Sequence, residues 1–164
     1  MADEEHDEAA ARSFLTCAVE VACLMDLGNA ADVPEASRAR HLAHAVRKPL
    51  LERAHLPEEL FAPLMAAAVY DPDPSFCLWF VEPAVYAFGR RRVMNALLDY
   101  LRTGTDAERA GAERAWYCAH VPLRADRSPA YAPDGRRDPA LDESRDVMDA
   151  WRETLRASMR TNSR

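Results

Sequence analysis

The sequence predicts an all-α protein, a short α-solenoid of antiparallel helix pairs with an additional C-terminal helix. Apolar residues recur at three- and four-residue steps along most of the chain, which is the spacing of one buried helix face. Asp, Pro and Gly interrupt these stripes, and they favour turns and helix ends. Glycine is scarce, with 5 in 164 residues, which also favours helix. No segment shows convincing strand alternation.

The first third of the chain predicts an acidic tail and two helices. Residues 1–7 are rich in Asp and Glu, which predicts a solvated, disordered tail. The first helix is predicted from about Glu8 to Leu27, where apolar residues mark one face. A second helix follows residues 32–35, which have the spacing of a capping box. We expect Pro49 to break or kink that helix.

Four shorter helices are predicted between residues 57 and 120. Their approximate spans are 57–70, 75–88, 91–102 and 106–120. Two prolines in the turn at residues 71–75 stop the first of these helices. Pro83 predicts a kink or a later start in the second. Thr105 and Glu108 have the capping-box spacing that opens the last.

The C-terminal part of the chain predicts a loop and one more helix. Residues 121–139 are rich in Pro, Asp, Arg and Gly and lack periodicity, which predicts an irregular loop. Residues 140–160 predict a helix that either docks on the body or meets a partner. The predicted division is therefore a tail at 1–7, a helical-repeat domain at 8–120, the loop at 121–139 and the C-terminal helix at 140–160.

Residues 57–89 and 90–120 have the pattern of two copies of one helix–turn–helix unit. At an offset of 33 residues, the matched positions are Leu60 and Val93, Phe61 and Met94, Leu64 and Leu97, Met65 and Leu98, and Asp73 and Asp106. Two unrelated amphipathic helices also align over four apolar positions, and the Asp in each turn favours the repeat. One hairpin alone leaves an apolar face uncovered, so stacked copies bury each other.

Within about residues 57–120 the chain resembles the HEAT-like (armadillo-type) helical repeats. Residues 84–89, Ala-Val-Tyr-Ala-Phe-Gly, are similar to the end of that family's second helix. Residues 96–101 look like the following first helix, and residues 106–116 look like the next Asp turn and second helix. The chain departs from the family at Val81, where an arginine is frequent. The resemblance implies an α-solenoid fragment with a binding or scaffolding role, and it implies no catalytic residues.

Composition narrows the classes of function. The formal net charge is −6, and an acidic chain is a poor non-specific binder of nucleic acid. The four cysteines lack C-x-x-C spacing and lie in apolar runs, which predicts small buried hydrophobes in a reducing compartment. An acidic start and the lack of an apolar run of membrane length predict a cytoplasmic protein without membrane contact. Arginine is used far more often than lysine, which suggests a GC-rich bacterial genome.

Chemistry-bearing motifs are sparse. No nucleotide-loop, dinucleotide or nucleophile-elbow motif occurs, so we predict no catalytic, cofactor-binding or metal-binding residues and do not favour an enzyme. His41 and His44 have a spacing that suits one metal ion, but no further ligand pattern accompanies them, which favours a polar helix face. Asp71 and Asp73 suit a cation or acid–base work, whereas their alternation with proline favours turn capping.

We therefore predict a non-enzymatic protein–protein interaction module or adaptor. The predicted partner contacts are Trp79, Arg90, Arg91, Arg92 and Trp151. Trp79 lies off the apolar stripe of its helix, and exposed tryptophans often anchor partners, although core burial explains it equally. The alternative is a nucleic-acid-binding HEAT-like protein that uses the basic patch Arg90–Arg92, although cations there also suit a helix end. A homodimer is also compatible, because a short stack exposes apolar ends.

Overall fold

The computed structural model describes residues 2–53, 55–120 and 143–162. These residues form seven α-helices and one short 3-10 helix, Glu58–Leu60. The α-helices are α1 Ala2–Leu24, α2 Glu35–Glu52, α3 Phe61–Tyr70, α4 Leu78–Phe88, α5 Arg90–Thr103, α6 Asp106–Ala119 and α7 Arg145–Asn162. The all-α prediction is confirmed. The predicted loop at 121–139 lies outside the described residues.

Two helix boundaries differ from the sequence prediction, and a third agrees with one of the two alternatives predicted for it. Helix α1 begins at Ala2 rather than near Glu8. Helix α2 continues past Pro49 to Glu52. Val46 and Leu50, on either side of the proline, are both buried. Their packing compensates for the loss of the main-chain hydrogen bond that proline cannot make. Helix α4 takes the later start, at Leu78, and still contains Pro83.

Helix α3 lies at the centre of the fold, where it contacts α1, α4 and α6. Six of its ten residues are buried, namely Pro63, Leu64, Met65, Ala67, Ala68 and Val69. A helix that is apolar all round is one that is covered on all sides. The sequence pattern of α3 therefore follows from its central position.

The other helices form layers around α3. Consecutive helices pack against each other in the pairs α1 and α2, α3 and α4, and α5 and α6. Across these pairs, α1 packs on α3, α2 on α4, and α6 on both α3 and α4, whereas α3 touches α5 only lightly. Helix α7 packs against α5. Of the described residues, no helix combines the length and apolarity that crossing a membrane requires.

A glycine allows α6 to approach α3 at main-chain distance. A Cβ atom at Gly111 would lie 2.0 Å from the carbonyl oxygen of Val69 and 2.9 Å from its carbonyl carbon. Only glycine leaves room for such an approach. The start of α6 is held by the predicted capping box between Thr105 and Glu108, and the Tyr70 hydroxyl also donates to the Glu108 carboxylate.

Candidate interaction surfaces

Arg90, the first of the predicted contacts, is a buried structural residue. Its side chain is 1% exposed at the start of α5, and its Nη1 donates to the carbonyl oxygen of Ala119 at the end of α6. Carbonyl groups in the last turn of a helix lack intrahelical donors, and a cation there also interacts favourably with the helix dipole. Arg90 therefore joins α5 to α6 and is not available on the surface in this conformation.

Arg91 and Arg92 lie on the surface, and each guanidinium is paired within the chain. Arg91 donates to both carboxylate oxygens of Asp146 at 2.6 and 2.7 Å and to the Glu143 carbonyl at 2.6 Å. These hydrogen bonds lower the pKa of Asp146 to about 2. Arg92 makes a two-point contact with Glu58, which lowers the pKa of that carboxyl group.

Trp151 docks α7 on the body of the protein. It is 4% exposed and stacks on Trp116 of α6, with ring centroids 4.0 Å apart and ring planes 4° apart. Val147, one turn earlier on α7, is also buried. Of the two expectations for the C-terminal helix, docking on the body is confirmed, and Trp151 faces inward in this conformation.

Trp79 is half-buried in an aromatic and cationic cluster between α2 and the start of α4. Its ring meets the rings of His44 and Phe76 edge to face, with centroids 4.6 Å away in both cases. The Arg47 guanidinium lies 4.5 Å from the centre of the Trp79 ring. We call His44, Arg47, Phe76 and Trp79 the α2–α4 patch. His44 is thus engaged by aromatic rings, and in the described part of the chain no three His, Cys, Asp or Glu side chains gather as metal ligands.

Asp71 and Asp73 build the turn that ends α3. The Asp71 Oδ1 accepts the Asp73 N–H at 3.0 Å, and the Asp73 Oδ1 accepts the Ser75 N–H at 2.9 Å. These bonds confirm the turn interpretation. Asp71 is also fully buried and forms a two-point ion pair with Arg40 of α2, at 3.0 and 2.5 Å. Sequence reasoning missed this pair because Arg40 is 31 residues away.

A cleft of about 630 Å³ opens beside α6. Its walls come from the turn before α4, from α5 and α6, and from the last part of α7. The lining residues are Pro74, Leu101, Asp106, Arg109, Ala110, Glu113, Arg114, Tyr117 and Ser158. We call this feature the α6 cleft.

Two residues of the α6 cleft are suited to contact a partner. The Tyr117 side chain is 80% exposed, although an aromatic ring is costly to leave in water. The Arg114 Nε is buried and has no hydrogen-bond partner among the described residues, while its Nη2 donates weakly to the Asp71 carbonyl at 3.4 Å. The sequence did not distinguish Tyr117 from the other aromatic residues, because its exposure depends on how the helices pack.

Comparison with known proteins gave no relative from which a function can be transferred. No family model, curated protein or solved structure matches this chain.

Proposed function

We propose that this chain is a short HEAT-like helical-repeat protein that serves as an adaptor and binds a protein partner at the α6 cleft. The observation that carries this proposal is the exposed Tyr117 ring beside a cleft with both apolar and charged walls. Tyrosine is among the residues that contribute most to binding at protein interfaces, especially next to pockets that exclude water.

The repeat interpretation is supported by the burial of the matched positions. Leu60, Leu64 and Met65 of the first unit are buried, and so are Val93, Leu97 and Leu98, their counterparts at an offset of 33 residues. Helix α6 of the second unit packs on both helices of the first. Two hairpins that share a core in this way bury the apolar face that each exposes alone.

The chemistry of the α6 cleft specifies the kind of segment that fits. Leu101, Pro74 and Ala110 provide apolar wall, on which an apolar side chain of the partner would pack. Arg114 lines the cleft, and a carbonyl or carboxylate oxygen of the partner would accept a hydrogen bond from its guanidinium group. Asp106 and Glu113 disfavour a strongly acidic segment. The expected ligand is therefore a polypeptide segment of mixed character rather than a polyphosphate.

Site-directed photo-crosslinking in the native host tests this function. A benzophenone amino acid at position 117 is expected to form an adduct with one protein partner. The same amino acid at position 48, where the Lys48 side chain is 80% exposed on α2, is the matched control and should not form it. A further Arg114→Ala change should weaken the adduct. Equal crosslinking at both positions, or none at position 117, would contradict the proposal, and an adduct with a second copy would assign the cleft to a homodimer.

The nucleic-acid alternative has less support because the arginines of its patch are occupied. Arg90 binds a main-chain carbonyl, Arg91 binds Asp146 and Arg92 binds Glu58. A phosphate would have to displace these acceptors. We expect no salt-dependent DNA or RNA binding, and no change in mobility shift between the wild type and the Arg91→Ala/Arg92→Ala variant. Binding that this double substitution abolishes would restore the alternative.

A further inference from the structure

Two thiols that are distant in sequence meet between α4 and α6. The Sγ atoms of Cys77 and Cys118 lie 3.1 Å apart, although the residues are separated by 41 positions. Cys77 lies in the turn just before α4, where its Sγ also faces the Pro74 carbonyl at 3.4 Å. Cys118 lies in the last turn of α6. A disulfide bond would need the sulfurs to approach by only about 1 Å more.

The surroundings give the two thiols different reactivities. Cys77 is 1% exposed, whereas Cys118 is half-buried. The hydrogen bond between the two thiols lowers the pKa of Cys118, and the same bond together with burial raises the pKa of Cys77. Thiolates, not thiols, attack oxidants. Cys118 is therefore the attacking residue, and Cys77 is placed to resolve the product.

We propose that Cys77 and Cys118 form a redox-modification site, at which a hydroperoxide generates a reversible disulfide within the chain. The site adjoins the α6 cleft, because Cys77 contacts Pro74 of its wall, but the proposal does not depend on the proposed partner binding. It differs from the sequence prediction, in which all the cysteines are small buried hydrophobes. The position of the pair follows from the packing of α6 on α4, which no local motif reveals.

The reaction takes place in two steps. The Cys118 thiolate attacks the terminal oxygen of the hydroperoxide, so that an S–O bond forms, the O–O bond breaks, and the alcohol or water leaves with a proton. Cys77 then attacks the sulfur of this sulfenic acid. The S–S bond forms, the S–O bond breaks, and the oxygen leaves as water with the Cys77 proton. Two thiols are oxidised and the peroxide gains two electrons. A small thiol such as glutathione reverses the reaction by thiol–disulfide exchange.

The chain contains two internal controls. Cys17 is buried on α1, and burial raises its pKa to about 11, so it should remain a thiol. Cys23 is exposed near the end of α1, where its Sγ faces the Gly28 carbonyl. If exposure alone determined oxidation, Cys23 would react first. If the thiol pair determines it, Cys118 reacts first.

Mass spectrometry of the full-length reduced protein tests this site. After treatment with equimolar hydrogen peroxide, thiol trapping with N-ethylmaleimide and proteolysis without reductant, we expect the Cys77 peptide linked to the Cys118 peptide. Cys17 and Cys23 should carry the trapping reagent, and dithiothreitol should restore the free peptides. A product that contains Cys17 or Cys23, a link between two chains, or no disulfide under excess peroxide would overturn the proposal.

Variants assign the two roles. Cys77→Ser should stop at the sulfenic acid of Cys118, which dimedone traps. Cys118→Ser should slow the oxidation of Cys77, measured by peptide mapping, by about tenfold or more, because the buried Cys77 thiol is poorly ionised. Cys23→Ser is the matched control and should oxidise like the wild type. Equal rates in Cys118→Ser and the wild type would overturn the assignment. The peptide map of the wild-type protein tests the proposed disulfide even if a variant does not fold.

Discussion

The two helical hairpins at the centre of this chain, α3–α4 and α5–α6, are similar in sequence pattern but differ in surroundings. Helix α3 is buried on nearly all sides and contacts α1, α4 and α6. Helix α5 has a buried stripe, Arg90, Val93, Met94, Leu97, Leu98 and Leu101, and an exposed polar side. The same sequence pattern therefore occurs at an inner and an outer position, and most of the residues that line the α6 cleft belong to the outer hairpin.

The largest difference in stability between the hairpins is expected when a glutamate is introduced at two positions that match in the repeat. Ala67 of α3 and Tyr100 of α5 are 33 residues apart, and Ala67 is fully buried whereas Tyr100 is half-buried. Ala67→Glu should cost about 4 kcal/mol or more, because the buried carboxylate would replace a small apolar side chain in the core. Tyr100→Glu should cost about 1 to 2 kcal/mol. Urea unfolding followed by circular dichroism measures both, and equal losses would contradict the inner–outer distinction.

A smaller loss of stability is expected for a substitution at Gly111, where α6 of one hairpin approaches α3 of the other. In Gly111→Ala the new methyl group would collide with the Val69 carbonyl, so we expect a loss of about 2 kcal/mol. Helix propensity alone predicts the opposite sign, a gain of about 1 kcal/mol. The adjacent exposed residue provides the control, since Ala110→Gly should cost only about 1 kcal/mol. A stabilised Gly111→Ala variant would mean that α6 does not approach α3 this closely.

The predictable part of the fold is the part that local chemistry determines. The capping box at Thr105, the turn at Asp71 and the apolar stripe of α5 depend on residues a few positions apart, and the sequence shows them directly. The Arg40–Asp71 pair, the Cys77–Cys118 contact and the burial of Arg90 depend on which helices meet. Such contacts join residues 29 to 41 positions apart, and no helical period signals them.

The ion pairs at the two hairpins should differ in strength. Arg40 contacts the fully buried Asp71 at the end of α3, and the Arg40 side chain is 27% exposed. Arg40→Met would leave a buried carboxylate unpaired, so we expect a loss of about 2 kcal/mol that 1 M salt does not remove. Adding Asp71→Asn should restore part of this loss. A double variant as unstable as Arg40→Met would indicate that α2 itself is disrupted.

The smallest loss of stability is expected when the exposed ion pair between Arg91 and Asp146 is removed. Since Arg91 lowers the pKa of Asp146 to about 2, the pair stabilises the folded state fully above about pH 4, where an unfolded aspartate is ionised. This contribution is lost as the pH falls through about 2. Asp146→Asn should therefore lower the urea midpoint slightly at pH 7 and not at pH 2. High salt should reduce the difference at pH 7, because exposed pairs are screened.

The contact of Gly111 with Val69 also limits how the chain can vary. A change in volume at a core leucine such as Leu64 can be compensated by a second change in a neighbouring side chain. The atom that meets position 111 is a main-chain oxygen, which is present whatever residue occupies position 69. In a library of all single and paired substitutions selected for folded protein, position 111 should therefore keep glycine in every background, while position 69 accepts several apolar residues.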